Sequence, residues 1–204
     1  MQDLIYKAGL MGVQVNRDQA QQMLCLLDEL EHWNRAYNLT AISVREQMRS
    51  HHLLDSLSIA PLLQGTQIID VGTGAGFPGL PLAIITPQRQ FTLLDSNGKK
   101  VRFIAHVSRV LGLKNVVIAH SRAENFLVTT PFDTVLARAF SALPTLLSNV
   151  ANLCGSQTRV LAMKGRRQTE GVIRLPAGWR IEQDLTLMVP DLNQNRHVLV
   201  VRAS

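Results

Sequence analysis

The sequence predicts a doubly wound α/β fold with a helical N-terminal extension and an antiparallel hairpin at its C-terminal end. Three observations predict it. Residues 1–62 carry apolar side chains at helical spacing and show no strand pattern. From residue 67 onward, short apolar runs alternate with segments of helix length, which is typical of βαβ units and a parallel sheet. Near the end, two strand-like runs follow each other with no helix between them, so they are expected to pair antiparallel.

The N-terminal extension is predicted to consist mainly of two helices. Asn16 or Asp18 can cap the first one. Its apolar residues recur at three- and four-residue steps, as on one face of an amphipathic helix: Ala20, Met23, Leu24, Leu27, Leu30 and Trp33. Ser43, with Glu46 three residues later, matches a capping box and predicts a second helix that ends just before Pro61.

The strands of the predicted sheet are short apolar runs, at residues 67–71, 91–95, 115–119, 134–137 and 159–163. The helices expected between them span residues 80–85, 101–111 and 143–153. The closing hairpin is expected at residues 181–189 and 197–201. A chain of 204 residues fits one domain, so we expect a single unit, 1–204, in which residues 63–204 form the α/β core.

The composition indicates which class of binding partner and which cellular compartment to expect. Lys and Arg number 21 against 15 Asp and Glu, a net charge of +6 that favours a polyanion as partner. The two cysteines exclude a disulfide framework and a cysteine-rich metal site, so a reducing cytoplasm is expected. The sequence shows no secretory signal and no apolar run of ~20 residues that could span a membrane, so no membrane partner is expected.

A glycine-rich segment follows the first predicted strand, with the sequence Asp-Val-Gly-Thr-Gly-Ala-Gly-Phe-Pro-Gly at residues 70–79. From Gly74 it matches the dinucleotide fingerprint G-x-G-x-x-G. From Asp70 it matches acidic-x-G-x-G-x-G, which resembles motif I of methyltransferases that use S-adenosylmethionine (AdoMet), where the acid serves the methionine end of the cofactor. Prolines at positions 78 and 81 fit poorly with a diphosphate cradle, which needs free backbone N–H groups.

Further candidate ligand-binding residues follow the next three strands. Asp95 lies 21 residues after Gly74 and can accept hydrogen bonds from both hydroxyls of a ribose; the less favoured alternative is that it caps the next helix. In the methyltransferase interpretation the loop 121–124 holds the adenine, with Ala123 and Glu124 nearest the ring. Arg138 ends the fourth strand, at the edge where open α/β sheets bind ligands.

Basic residues form clusters that are expected to lie on or beside this edge and to contact RNA phosphates: Lys99, Lys100 and Arg102, then Lys164, Arg166 and Arg167, and then Arg196. The pair His51-His52 is not expected to bind a metal, because adjacent residues on a helix point roughly 100° apart. No metal site is predicted.

The chain resembles the glucose-inhibited division protein B family, the bacterial 16S ribosomal RNA guanine-N7 methyltransferases. The matching residues are Trp33-Asn34, residues 37–40, the motif from His52 to Ser56, residues 70–81, Leu94-Asp95-Ser96 with Lys99-Lys100, residues 121–124, Arg138-Ala139 and Lys164-Gly165. Lys100 departs from the family pattern, in which we expect arginine.

The resemblance implies a Rossmann-like class I methyltransferase sheet, with AdoMet as cofactor and 16S ribosomal RNA or the small ribosomal subunit as partner. It implies cofactor contacts at Gly72, Phe77, Ala123, Glu124 and Arg138, beside Gly74 and Asp95. Guanine N7 already carries a free lone pair, so no catalytic base is expected. The protein is expected to be a cytoplasmic monomer. A nicotinamide-dependent oxidoreductase and a non-catalytic RNA-binding protein are the alternatives.

Overall fold

The structure is a computed structural model, which describes residues 1–138, 140, 142–165, 174–194 and 196–203. The α-helices in these ranges are α1 (Gln2–Leu10), α2 (Arg17–Tyr37), α3 (Arg45–Met48), α4 (Asp55–Leu57), α5 (Gly79–Ile85), α6 (Gly98–Val110) and α7 (Leu143–Val150). The strands are β1 (Gln67–Val71), β2 (Gln90–Asp95), β3 (Val116–His120), β4 (Thr134–Arg138), β5 (Arg159–Lys164), β6 (Trp179–Leu187) and β7 (Arg196–Ala203).

The strands form one sheet in the order β3-β2-β1-β4-β5-β7-β6. Strands β1 to β5 pair in parallel, and β7 pairs antiparallel with both β5 and β6. The doubly wound sheet with its C-terminal antiparallel hairpin is therefore confirmed. The winding reverses between β1 and β4, and the carboxyl ends of these two strands form the crevice in which such sheets bind ligands.

The two faces of the sheet are buried in different ways. The extension, α5 and α6 share one apolar cluster with one face, and α7 packs on the other. The extension also bonds to the core through polar groups. Gln22 Nε2 donates to Leu111 O at 2.9 Å, and His106 Nε2 lies 2.7 Å from Glu29 Oε2. The division into an extension and a core stays a prediction, but their apolar residues are buried together.

Helix α2 begins as its sequence predicts. Asn16 Oδ1 accepts a hydrogen bond from the Gln19 backbone N–H at 2.8 Å, and Gln19 Oε1 accepts one from the Asn16 N–H at 3.0 Å. This reciprocal pair is a capping box. The helix ends where Asn38 adopts a left-handed conformation, with φ of 50°, which asparagine tolerates.

The second capping box is wrong. Helix α3 begins one residue later than predicted, with Val44 at its N-cap and no side-chain cap, so Ser43 lies outside the helix. The helical path then continues through a π-helical segment, Arg49–Leu54, into α4. A short 3₁₀ turn, Ala60–Leu62, contains the proline that was predicted to follow the helix. Within the described residues no helix is long and apolar enough to span a membrane.

Candidate active site

The glycine-rich loop connects β1 to α5, and the buried side chain of Asp70 holds the loop through hydrogen bonds. This side chain is fully buried, and its Oδ2 accepts hydrogen bonds from Thr73 Oγ1 at 2.6 Å and from the Gly79 N–H at 2.8 Å. A Cβ on Gly79 would lie 2.9 Å from this same oxygen and would overlap Leu93. Glycine is therefore required there because the start of α5 approaches the sheet so closely.

The role expected for Asp70 at the methionine end of the cofactor stays a prediction. In this structure the enclosed carboxylate fixes the shape of the loop by its hydrogen bonds to Thr73 and Gly79. Burial raises the pKa of Asp70 to about 6, and its Oδ1 has no hydrogen-bond partner among the described residues. At the crevice, the end of β1 is therefore followed by the backbone of the glycine-rich loop, and the carboxylate of Asp70 lies beneath that loop.

Four of the predicted cofactor residues line one cavity of about 160 Å³, which we call the nucleoside pocket: Gly72, Asp95, Ala123 and Glu124. They follow β1, β2 and β3, so parallel pairing brings them to one edge. Gly72 has a φ of 66°, in the left-handed region, and its missing side chain leaves the backbone open to the pocket. The sequence therefore identified the lining of this pocket well.

Asp95 is the polar centre of the nucleoside pocket. Its Oδ2 accepts a hydrogen bond from the Gly74 N–H at 2.9 Å, and its Oδ1 accepts one from the Asn97 N–H at 2.8 Å. A carboxylate has about four lone-pair sites, so both oxygens can also accept hydrogen bonds from ribose hydroxyls. These acceptor oxygens and the open backbone at Gly72 fit the nucleoside part of AdoMet. Gly74 contributes by its bond to Asp95.

Arg138 and Phe77 are not in the nucleoside pocket. Arg138 lines a neighbouring cavity of about 300 Å³, together with Ile42, His51, His52, Asp55, Met163, Lys164, Gly165 and Arg196. We call it the arginine pocket. The Phe77 ring is 2% exposed and stacks on His52, with the Arg138 guanidinium 5.7 Å from the ring centroid. The cofactor contact expected at Phe77 stays a prediction.

The arginine pocket is organised by Asp55, a carboxylate that is 5% exposed and lies between two arginines. Its Oδ1 accepts a hydrogen bond from Arg196 Nε at 3.0 Å, and its Oδ2 accepts one from Arg138 Nη1 at 3.3 Å. Arg138 Nη1 also donates to the His51 carbonyl at 3.1 Å. These hydrogen bonds hold the Arg138 guanidinium in the arginine pocket, and the cofactor contact expected of Arg138 stays a prediction.

Sequence reasoning quoted Asp55 only as part of a family motif and assigned it no role. A signal was available. Asp55 lies in a helical stretch whose neighbours Leu53, Leu54 and Leu57 are all apolar, and a carboxylate on a fully buried helix requires a cationic partner. The sequence does not reveal which cations these are, because the two arginines lie 83 and 141 residues further along the chain.

His52 forms part of the floor of the arginine pocket and is uncharged. Burial lowers its pKa to about 3, and the nearby Arg138 guanidinium acts in the same direction. Its Nε2 lies 3.0 Å from Thr40 Oγ1. Across the described part of the chain, no group of three or more His, Cys, Asp or Glu residues could hold a metal ion.

Phe140 lies between the two pockets. Its carbonyl accepts a hydrogen bond from Lys164 Nζ at 3.0 Å, and Lys164 lines the arginine pocket. Its ring lines the nucleoside pocket, 3.8 Å from where a Cβ on Gly72 would lie. Burial lowers the pKa of Lys164. The two pockets are therefore linked through Phe140, a residue that the sequence analysis did not single out.

The predicted RNA-contacting residues meet at the same edge of the sheet. Lys99 and Arg102 are exposed on α6, and Lys100 is half-buried, with its Nζ 4.0 Å from where a Cβ on Gly74 would lie. Lys164 ends β5 and Arg196 begins the antiparallel β7, which brings both to the arginine pocket. The remaining two, Arg166 and Arg167, lie outside the described residues.

Several solved structures with a similar fold are methyltransferases. One is a SAM-dependent methyltransferase from Aquifex aeolicus, with a TM-score of 0.57 and 16% identity, covering 78% of this chain and 94% of that chain. Another is a magnesium protoporphyrin IX methyltransferase from Synechocystis PCC 6803 with bound SAH, with a TM-score of 0.59 and 15% identity, covering 87% of this chain and 94% of that one. At this identity the likeness establishes the fold alone.

Sequence relatives give the family. The chain is 44% identical over 203 residues to "Ribosomal RNA small subunit methyltransferase G" of Pseudomonas aeruginosa (strain UCBPP-PA14), covering 99% of this chain and 95% of the relative. It is 45% identical over 191 residues to the protein of that name from Marinobacter nauticus, covering 94% and 89%. The model of the GidB family, described as rRNA small subunit methyltransferase G, matches residues 19–200. The resemblance predicted from the sequence is thus confirmed, and the chain belongs to the rRNA small subunit methyltransferase G family.

Proposed function

We propose that this chain, an AdoMet-dependent methyltransferase by its family, methylates N7 of a guanine in 16S ribosomal RNA. The observation that carries the proposal is the identity of about 44% along nearly the whole chain to small-subunit rRNA methyltransferases. The geometry supports it, because a pocket suited to a nucleoside adjoins a cationic pocket at one edge of the sheet. The oxidoreductase and the non-catalytic RNA-binding protein are not favoured by any of these comparisons.

The cofactor, when bound, supplies a methyl group on a positively charged sulfur, which is an electrophile with a good leaving group. The chain's own residues bind and orient it. Asp95 would accept hydrogen bonds from the ribose hydroxyls, the Gly72 backbone would allow close approach, and Ala123 and Glu124 would hold the adenine. The Ala123–Asn125 turn is held for this purpose by Asn152 Nδ2, which donates to the carbonyls of Ala123 and Phe126 at 3.0 and 2.9 Å.

Arg138 was expected to contact the cofactor, and its position in the arginine pocket suggests a different first partner. Because this pocket adjoins the nucleoside pocket, Arg138 can orient the acceptor base beside the methyl group. The Phe77 ring packs against both His52 and the Arg138 guanidinium. We therefore place Gly72, Gly74, Asp95, Ala123 and Glu124 at the cofactor and Arg138 at the boundary with the RNA.

Methyl transfer to guanine N7 needs positioning and no proton transfer, because the N7 lone pair attacks directly. The arginine pocket suits this reaction. His52 stays uncharged with a pKa near 3, and Asp55 is engaged by two arginines. Neither group is free to act as a base, and the reaction requires none.

The RNA is expected to reach this edge by its phosphates, which exposed cations such as Lys99 and Arg102 can neutralise. In duplex RNA, guanine N7 faces a deep and narrow groove that side chains cannot enter. The target guanine is therefore expected in a loop or an opened helix. That the partner is 16S rRNA within a small subunit, and that the enzyme is a cytoplasmic monomer, stay predictions.

The test is to map 7-methylguanine in 16S rRNA from a strain that lacks this gene. One N7-methylated guanine should be missing and should reappear when the wild-type gene is restored. The purified protein should also be stabilised against heat by AdoMet and by its demethylated product, whereas NAD should have no effect. Unchanged 16S rRNA modification in the deletion strain would contradict the proposal, and stabilisation by NAD alone would favour the oxidoreductase.

A further inference from the structure

Resting on the proposed function, we infer that the arginine pocket is the seat of the target guanine and that Asp55 is the positioning residue that holds Arg138 and Arg196 in place as its paired donors. The position of this pocket is the first argument. It lies at the carboxyl edge of the sheet, and it is joined to the nucleoside pocket through Phe140, which lines that pocket and whose carbonyl accepts a hydrogen bond from Lys164 of the arginine pocket. A base in the arginine pocket would therefore lie beside the cofactor.

The size and walls of the pocket suit a single flat base. Its volume of about 300 Å³ is at the lower end of the range for small-molecule sites. Ile42 and Met163 provide apolar surface, and the uncharged His52 stacks on Phe77 in the floor. Arg138, Lys164 and Arg196 add three cations to the lining, against the single carboxylate of Asp55. A planar base with acceptor atoms on one edge fits both kinds of wall, because its faces can pack on apolar side chains while its edge accepts hydrogen bonds from N–H groups that Asp55 does not use.

The chemistry of the two arginines favours guanine over adenine. Guanidinium groups are donors only, and the major-groove edge of guanine presents the acceptor O6 beside N7. Adenine has an amino group in place of O6, so a donor would face a donor. Hydrogen bonds to O6 would leave N7 available as the nucleophile, which the proposed reaction requires.

Asp55 determines where these donors are. Both of its oxygens are used, one by each arginine, and it is almost fully buried. The missing side chain of Gly165 leaves room for Arg196, since a Cβ there would lie 3.3 Å from Arg196 Nη1. Without the carboxylate, two guanidinium groups would repel each other across a buried space, and neither would keep its position.

The arrangement also gives the N-terminal extension a role in the reaction. Asp55, His51, His52 and Ile42 all belong to the extension, whereas Arg138 and Arg196 end β4 and begin β7 of the core. The seat exists only where these two parts meet. Asp55 acts on the substrate through the arginines, so its loss should affect the rate of methylation and not the binding of the cofactor.

The experiment compares Asp55→Asn with wild type and with a matched control, Asp28→Asn. Asp28 pairs with Arg45 at 2.6 Å, also within the extension, but its side chain is 65% exposed and lies outside both pockets. Small ribosomal subunits from the deletion strain are the substrate. The measurements are the single-turnover rate with radiolabelled AdoMet at saturating subunits, the Kd of AdoMet, the Kd of the subunits and the Tm.

Asp55→Asn should lower the single-turnover rate at least tenfold, and the Kd of AdoMet should stay within twofold of wild type. Removing a negative charge from a cationic edge should leave subunit binding as tight or make it tighter. General destabilisation would weaken RNA binding as well. A lower methylation rate with unchanged RNA affinity would therefore indicate a positioning role for Asp55. Asp28→Asn should keep all of these values within twofold of wild type.

Wild-type rate in folded Asp55→Asn would overturn the inference, and so would a rate loss matched by an equal loss of AdoMet affinity. If Asp55→Asn does not fold, Arg196→Gln serves instead, because its side chain is at the pocket rim; an unchanged rate in that variant would also overturn the inference. If the wild-type protein does not methylate guanine N7 of 16S rRNA, the proposed function is wrong, and the inference about the arginine pocket is then wrong as well.

Discussion

The two pockets lie side by side but are built in different ways. The nucleoside pocket is formed mainly by the segments that follow β1, β2 and β3, within residues 71–124, and its centre is a carboxylate that accepts hydrogen bonds. The arginine pocket joins residues 42–55, Arg138, residues 163–165 and Arg196, and its centre is a pair of donors. The first is local in the chain and can be found in the sequence. The second is assembled from distant segments and can be found only in the fold.

Because the two pockets are lined by different chemical groups, they are expected to bind different ligands. A pocket of acceptors and open backbone suits a ribose, and a pocket of guanidinium groups suits the acceptor edge of a base or a phosphate. If this division holds, a substitution in one pocket should change one measurement and leave the other unchanged. The following predictions test the division, beginning with the largest expected effect.

Asp95→Ala should weaken AdoMet binding roughly 10- to 100-fold, because a charge-assisted hydrogen bond contributes about 1.5–3 kcal/mol. The loss also frees the Gly74 N–H from its partner at 2.9 Å. Asp95→Asn, which keeps one acceptor oxygen, should show a smaller loss. Titration calorimetry with AdoMet measures both. Equal affinity of Asp95→Ala and wild type would remove Asp95 from the cofactor site.

Arg138→Gln should lower the single-turnover rate about tenfold and leave AdoMet affinity within twofold, because the side chain lies in the arginine pocket. The rate should stay nearly flat from about pH 6 to 9 in both proteins, since no group is deprotonated in the chemical step. Arg17→Gln, on the exposed start of α2, is the control. A large loss of AdoMet affinity would return Arg138 to the cofactor, and a bell-shaped pH profile would contradict direct attack by N7.

His52→Gln should make the protein less sensitive to acid. The pKa of His52 falls from 6.5 to about 3 in the folded protein, so its unfolded form binds the proton first. The contribution of this neutral histidine is complete above pH 6.5 and is lost as the pH falls toward 3, by up to about 1.4 kcal/mol per pH unit. Between pH 6 and 5, the free energy of unfolding of wild type should therefore drop by about 1 kcal/mol more than that of the variant.

Urea unfolding at both pH values measures this difference. Asp70, whose raised pKa acts in the opposite direction over part of the window, is present in both proteins and cancels. His32→Gln, at an exposed position, is the matched control and should follow wild type. If His52→Gln also follows wild type, the histidine is not buried as a neutral group.

The double variant Lys99→Ala with Arg102→Ala should reduce the salt dependence of RNA binding, the smallest effect of the series. Each phosphate contact to a single strand contributes a slope of about −0.7 in a plot of log affinity against log salt. The control removes Arg109 and Lys114, two exposed cations towards the opposite edge of the sheet. A slope that changes equally in both variants would mean that RNA binding depends on net charge and not on this edge.

Much of the fold was predictable because its signals are local. Short apolar runs and the helices between them place the parallel strands within a few residues, and the Asn16 cap is visible in the sequence. Local signals also misled at Ser43, where a matching capping box exists but the helix begins one residue later. A cap motif states a preference worth about 1 kcal/mol, and packing of the following apolar residues can outweigh it.

The sequence by itself determined the α/β class, the glycine loop, Asp95 and the turn at Ala123 and Glu124, because each depends on residues close together in the chain. Tertiary structure alone decided that Asp70 faces inward, that the Arg138 side chain lies in the arginine pocket, and that Asp55 pairs with two arginines. A buried charge must find an opposite charge, but its position in the chain does not say which one. Only the packing of the extension against β4 and β7 makes that choice.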